Sequence, residues 1–185
     1  MKSLAKVLVI LTVLVFIPAS SYAIIDFGVY GGYAWGDFEP NGTYDIDGSE
    51  YGFIGHFNGG VPLLISVGVG LFWQSASHTV EIDSKDYDAD RESYGFDAYA
   101  QLELPIVIHP YIRGGIAIKE ELDLEGSKFD DKFNQIYYGI GVAMTVFPMI
   151  QVFGEWIHTE STIEDGEYEA DINTDALHVG ARVSI

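Results

Sequence analysis

The stretch Gln135-Ile136-Tyr137-Tyr138-Gly139-Ile140-Gly141-Val142-Ala143-Met144-Thr145-Val146 decides how this chain is to be read. Its even positions, Ile136, Tyr138, Ile140, Val142, Met144 and Val146, are bulky. Its odd positions, Gln135, Tyr137, Gly139, Gly141, Ala143 and Thr145, are mostly small or polar. A period of two is the signature of a strand with two unlike faces. A soluble sheet would bury the bulky face in a core. Here the other face is rich in Gly, Ala and polar groups, which suits a tight polar interior with hydrocarbon on the bulky side.

The same alternation recurs along the chain. With Phe133 to Val146 as the sixth segment, the others are Ile25–Trp35, Tyr51–Phe57, Leu63–Trp73, Ser93–Leu104, Pro110–Ile118, Ile150–His158 and Thr174–Ile185. Eight such strands in a bilayer cannot leave an open edge, because unpaired backbone groups find no water there. The expected fold is therefore all-β: a closed, antiparallel, eight-stranded up-and-down transmembrane barrel. Short connections (58–62, 105–109, 147–149) alternate with long ones (36–50, 74–92, 119–132, 159–173). The long ones hold 23 of the 28 acidic residues, so long acidic extracellular loops and short periplasmic turns are expected. Trp35, Trp73 and Trp156 lie on the bulky face beside long connections, as an outer aromatic girdle would.

The N-terminus is a separate element. Lys2 and Lys6 precede an apolar run from Val7 to Ile17, Pro18 breaks it, and Ser21-Tyr22-Ala23 supplies small residues for cleavage. The run is too short for a membrane helix, which needs about 20 residues. Residues 1–23 are read as a signal peptide and residues 24–185 as a single barrel domain. Cysteine is absent and the net charge is −19. That removes disulfides, thiolate chemistry and lipidated cysteine, and no basic patch is left for nucleic acid.

By parity, Asp26, Asp97, Glu103, Arg113, Glu155 and Arg182 face the lumen. An eight-stranded barrel is just wide enough to be filled by side chains, and a buried charge needs a partner. Glu103 with Arg113, and Arg182 with Asp26 and Glu155, are the expected pairs of a structural polar plug. Inward glycines such as Gly28, Gly32, Gly68, Gly70, Gly139 and Gly141 make room for Tyr30, Phe72 and Tyr99. No cofactor is called for. Asp86-x-Asp88-x-Asp90 begins like a calcium loop, but Arg91 stands where glycine is required, and no metal site is assigned. The histidines have no metal-ligand spacing. Glu155, His158, Glu160 and Ser161 gather near the end of the seventh strand, and a Ser activated by a His base is the chemistry of outer-membrane lipid A deacylases. The spacing differs from their His-x-Ser and Glu155 faces inward, so His158 is read as interfacial and no catalytic residue is assigned.

The architecture, with the closing segment Leu177-His178-Val179-Gly180-Ala181-Arg182-Val183-Ser184-Ile185, resembles the small outer-membrane barrels of the OmpA transmembrane-domain and OmpX type. Members of that group commonly end in Phe; this chain ends in Ile185. The resemblance implies a Gram-negative-type outer membrane with both termini periplasmic. It also implies insertion by the barrel-assembly machinery and surroundings of outer-membrane lipid and lipopolysaccharide. The expected function is a non-enzymatic envelope or surface-interaction role, with an extracellular partner at the acidic loops. A narrow solute channel and a lipid A-modifying enzyme are the alternatives. A lipocalin-like soluble barrel would need the bulky residues inside.

Overall fold

A computed structural model of the chain describes residues 24–39, 42–61, 64–82, 85–104, 106–124, 127–131, 135–165 and 168–185. The expected signal peptide lies outside them. Nine strand segments follow in order: β1 Ile24–Glu39, β2 Tyr44–Val61, β3 Ile65–Ile82, β4 Lys85–Leu102, β5 Ile108–Leu124, β6 Ser127–Asp131, β7 Gln135–Phe147, β8 Ile150–Asp165 and β9 Tyr168–Ser184. The far half of β5 pairs with β6 and its near half with β7, so β6 and β7 form one stave. Each stave is antiparallel to its neighbour, and β1 pairs with β9, closing an eight-stave barrel.

The registers fix the barrel's shape. The row of paired residues that leaves β1 at Phe27 passes through Gly55, Leu71, Phe96, Ile116, Ile136, Glu160 and Asn173, and returns to β1 at Asp37. The return is ten residues from the start. With ordinary strand spacings, that stagger tilts eight staves by about 40° and gives a backbone radius of roughly 8 Å. Each residue then climbs about 2.5 Å along the barrel axis.

The bulky face points outward, as the alternation requires. Phe27, Val29, Phe53, Val69, Phe96, Ile112, Ile140 and Val179 are all exposed, while Tyr30, Phe72, Tyr99, Tyr111 and Tyr137 are buried in the lumen. Five inward aromatics each lie directly across from a glycine on the adjoining strand: Tyr30 from Gly52, Tyr99 from Gly68, Tyr111 from Gly141, Tyr137 from Gly115 and Phe153 from Gly180. A Cβ on any of these glycines would run into the ring opposite. The glycines are the space in which the rings lie.

Among the described residues the long connections are mostly strand. β2, β3 and β4 are each 18 residues long, and most of the residues expected in loops are strand. The reason is a change of phase. Above the belt the alternation continues, but apolar residues now point inward and acids outward, as in Asp45-Ile46-Asp47, Asp88-Ala89-Asp90, Glu121-Leu122-Asp123 and Asp171-Ile172-Asn173. Phe38, Ile46, Val80, Ala89, Leu122 and Ile172 form one buried cluster, and the registers place all six at nearly one level. At that level the barrel is thus built like a soluble one, greasy within and charged without. Burying side chains of this size contributes about 1.5–3 kcal/mol each, which holds the strands together where lipid no longer does.

Candidate functional site: the filled lumen and its outer collar

The lumen can be described level by level from the end with the short turns. At the bottom, Arg182 donates from Nε to Gln151 Oε1 at 2.7 Å and from Nη2 to Gln101 Oε1. Its guanidinium lies 4.8 Å over the Tyr99 ring. The next level centres on Arg113, which donates to Asp97 Oδ2 at 2.9 Å and to Glu155 Oε1 at 2.8 Å. Tyr137 also donates to Asp97, at 3.0 Å, and Tyr111 to Glu155, at 2.8 Å. His56 meets the other Asp97 oxygen at 2.9 Å, and Tyr99 donates to Asp26 at 2.9 Å.

The chain of charge continues upward. His178 stands between two carboxylates, 2.9 Å from Glu50 and 3.5 Å from Glu155. Arg91 bonds Glu50 at 3.0 Å and lies 3.8 Å from Glu120. His78 adds a 3.4 Å contact to Glu50, and Ser161 donates to Glu120. From Asp97 to Glu120, carboxylates therefore alternate along the axis with guanidinium and imidazole groups: Asp97, Arg113, Glu155, His178, Glu50, Arg91, Glu120. All are buried. Directly above them sits the apolar layer of Phe38, Ile46, Val80, Ala89, Leu122 and Ile172. Charged plug and apolar lid occupy the lumen at successive heights.

Of the six interior residues expected from parity, Asp26, Asp97, Arg113, Glu155 and Arg182 are buried, whereas Glu103 is half-exposed near the turn end. The expected pairs are not the ones formed. Glu103 bonds Gln101 at 2.9 Å and approaches His109 at 3.5 Å, because Arg113 sits higher, opposite Tyr99, and reaches acids at its own level. Arg182 takes neutral amides, and Asp26 takes the Tyr99 hydroxyl. Pairing is set by height in the lumen, with partners on adjoining staves (Arg113 with Asp97, Arg182 with Gln151) and across it (Arg182 with Gln101), which sequence neighbourhood does not reveal. Glu50, His78, Arg91 and Glu120 belong to the network but fell within connections read as loops. Their inward parity, read through the phase change, is the signal that identifies them.

On the outside, Trp35, Trp73 and Trp156 all lie on the lipid-facing side. Followed through the registers, Trp73 and Trp156 stand at nearly one level and Trp35 roughly 10 Å higher. The fuller ring is Tyr33, Tyr51, Trp73, Tyr94, Tyr138 and Trp156, on six of the eight staves and within roughly 6 Å of one height. Its polar tips reach up to acids: Trp73 Nε1 to Glu92 at 2.6 Å, Tyr138 to Glu160 at 3.4 Å, and Tyr33 to Asp47. His158 joins the collar, 2.9 Å from Asp175 and 3.5 Å from Glu160. Ser161 faces the lumen with Glu120, so His158 and Ser161 lie on opposite sides of the barrel wall and form no catalytic pair. Asp86, Asp88 and Asp90 alternate along one face of β4 rather than coiling around a point. Among the described residues no group of His, Asp and Glu is arranged to hold a metal ion.

Comparison with known proteins agrees with this architecture. No curated protein matches the sequence. Among solved structures, Neisserial surface protein A is similar with a TM-score of 0.65 at 12% identity, covering 88% of this chain and 97% of that one. The outer membrane protease OmpT from Escherichia coli is similar with a TM-score of 0.50 at 8% identity, covering 90% and 99%. The outer membrane protein OprG from Pseudomonas aeruginosa gives 0.46 at 10% identity, covering 86% and 95%. At these identities the likeness to the first two is one of fold. The model of the outer membrane protein beta-barrel domain matches residues 8–184, nearly the whole chain, and the protein belongs to that outer-membrane family.

Proposed function

We propose that this is a non-conducting, non-enzymatic barrel whose role is to hold a rigid acidic wall above the outer membrane, for envelope integrity or for contact with a partner outside. The filled lumen carries this reading: a salt-bridged column closed by an apolar layer offers ions no continuous wet path. The outer wall supports the rest. Asp45, Asp47, Asp88, Asp90 and Glu92 project outward from paired strands rather than from loops, so the charge is displayed in fixed geometry. In the orientation proposed, the turn end and both termini face the periplasm and the acidic wall faces outward. The aromatic ring then marks the outer interface, with lipopolysaccharide around it, and the barrel-assembly machinery performs insertion.

Single-channel recording in planar bilayers tests this. Purified, refolded protein is expected to give no steady openings at neutral pH. Reproducible openings on the nanosiemens scale of wide porins would defeat the sealed lumen and favour the channel reading.

A further inference from the structure

Three short connections share one sequence pattern: Val61-Pro62-Leu63-Leu64, Leu104-Pro105-Ile106-Val107 and Phe147-Pro148-Met149-Ile150. Each is apolar, proline, apolar, apolar. Turns that face water are usually built from Gly, Pro, Asn, Asp and Ser; here proline is the one such residue, and every other position is apolar. Pro62, Leu63 and Pro105 lie outside the described residues and enter only as sequence. Among the described ones, Leu64, Ile106, Val107, Phe147, Met149 and the terminal Ile185 are all exposed, Ile185 by 70%. Together they ring the turn end with apolar surface.

Part of the backbone of these turns is paired internally. Proline brings no N–H that would need a partner. Leu64 O accepts from Glu103 N at 2.9 Å, Val107 O from Thr145 N at 3.0 Å, and Met149 O from Ser184 N at 2.9 Å. Each turn is thereby bonded to the next stave. Ile25 and Ile185 exchange both of their bonds, at 3.0 and 2.9 Å. Internal satisfaction of this kind is what hydrocarbon demands of a backbone.

Height points the same way. The lipid-facing apolar run on β1 extends from Ile25 to Trp35, and that on β3 from Ile65 to Trp73. At about 2.5 Å per residue these spans are roughly 20–25 Å, and the apolar band of such barrels is about 25 Å tall. The band attains that height only when it is taken down to the turns.

We propose that the turn end is a lipid-binding surface: Leu64, Ile106, Val107, Phe147, Met149 and Ile185 lie within the phospholipid leaflet at that end instead of projecting into water. The occupant is the acyl-glycerol zone of phospholipid, because the side chains of the ring are apolar and continuous with the belt that already faces lipid. In the orientation proposed above, this is the periplasmic leaflet. The immersion itself does not depend on that orientation.

Absence of cysteine makes the test clean. Val107→Cys, Met149→Cys, the belt variant Ile140→Cys and the outer-wall variant Asp90→Cys would each carry an environment-sensitive fluorophore. Each would be refolded into phosphatidylcholine vesicles with and without doxyl-labelled lipid, and folding would be verified by the mobility difference between unboiled and boiled samples. The labels at 107 and 149 are expected to be quenched at least half as strongly as the label at 140, and severalfold more than the label at 90. Quenching at 107 and 149 no greater than at 90 would overturn the proposal. So would shielding that appears only at high protein-to-lipid ratio, which would mean that a second copy covers the ring. A lumen that conducts would defeat the sealed-barrel reading while leaving this one standing.

Discussion

Arg113 shows how much a single residue does in this interior. It is buried, bonded to two carboxylates, and lies 5.4 Å and 5.2 Å from the rings of Tyr30 and Tyr137. Replacing it with leucine would leave Asp97 and Glu155 without their guanidinium, and breaking a buried pair in this way costs about 3–5 kcal/mol. Arg182 has neutral amides as partners, so Arg182→Leu is expected to cost less, about 1–3 kcal/mol. Urea unfolding of the two refolded variants, followed by tryptophan fluorescence, checks the order; equal losses would contradict the assigned pairings. Parity in the sequence was enough to place Asp26, Asp97, Arg113, Glu155 and Arg182 inside. It could not name their partners, since those are chosen by height in the lumen and height depends on the stagger of the whole barrel.

Among the elements, the facing aromatic and glycine positions set how closely the staves approach. Gly141 lies against the Tyr111 ring, and Tyr111 in turn holds Glu155. Gly141→Ala is expected to displace that ring, loosen the Glu155 bond and destabilise the barrel by about 1–3 kcal/mol, the usual cost of overpacking. Gly154→Ala serves as the control, because a Cβ there meets only the His178 carbonyl at 3.8 Å; it should unfold like the parent in the same urea titration. The belt strands were legible because bulky and small residues alternate without interruption. The upper strands were missed because their alternation has the opposite sense: acids outside and Ile46, Val80, Leu122 and Ile172 inside read as polar loops to an eye set for lipid-facing apolar residues. An acid-apolar-acid triplet beyond a belt strand is the sequence mark of a strand that has left the membrane.

For the whole molecule, two solvents are met by one continuous sheet. In the belt, hydrocarbon outside calls for bulky residues outside and a salt-bridged interior. Above it, water outside calls for carboxylates outside and an apolar interior. On the outer face the changeover falls at the ring of Tyr33, Tyr51, Trp73, Tyr94, Tyr138 and Trp156, of which Tyr33, Trp73 and Tyr138 bond acids above; inside, the charged column rises past the ring through Glu50, Arg91 and Glu120 before the apolar layer begins. On β1 from Phe27 to Phe38 and on β2 from Ile46 to Val61 the registers carry pairing without interruption through that level, while β4–β5 shifts register between Tyr94 and Gly95. A paired sheet resists opening in a way that loops do not.

Amide hydrogen exchange on the refolded protein in lipid tests this most directly, read by mass spectrometry on peptides covering 44–50, 75–81 and 86–92. These segments are expected to stay protected for hours, on the same scale as belt peptides such as 94–101. Complete exchange within seconds while the belt remained protected would mean that the acidic segments are loops after all, and the rigid wall would be lost with them.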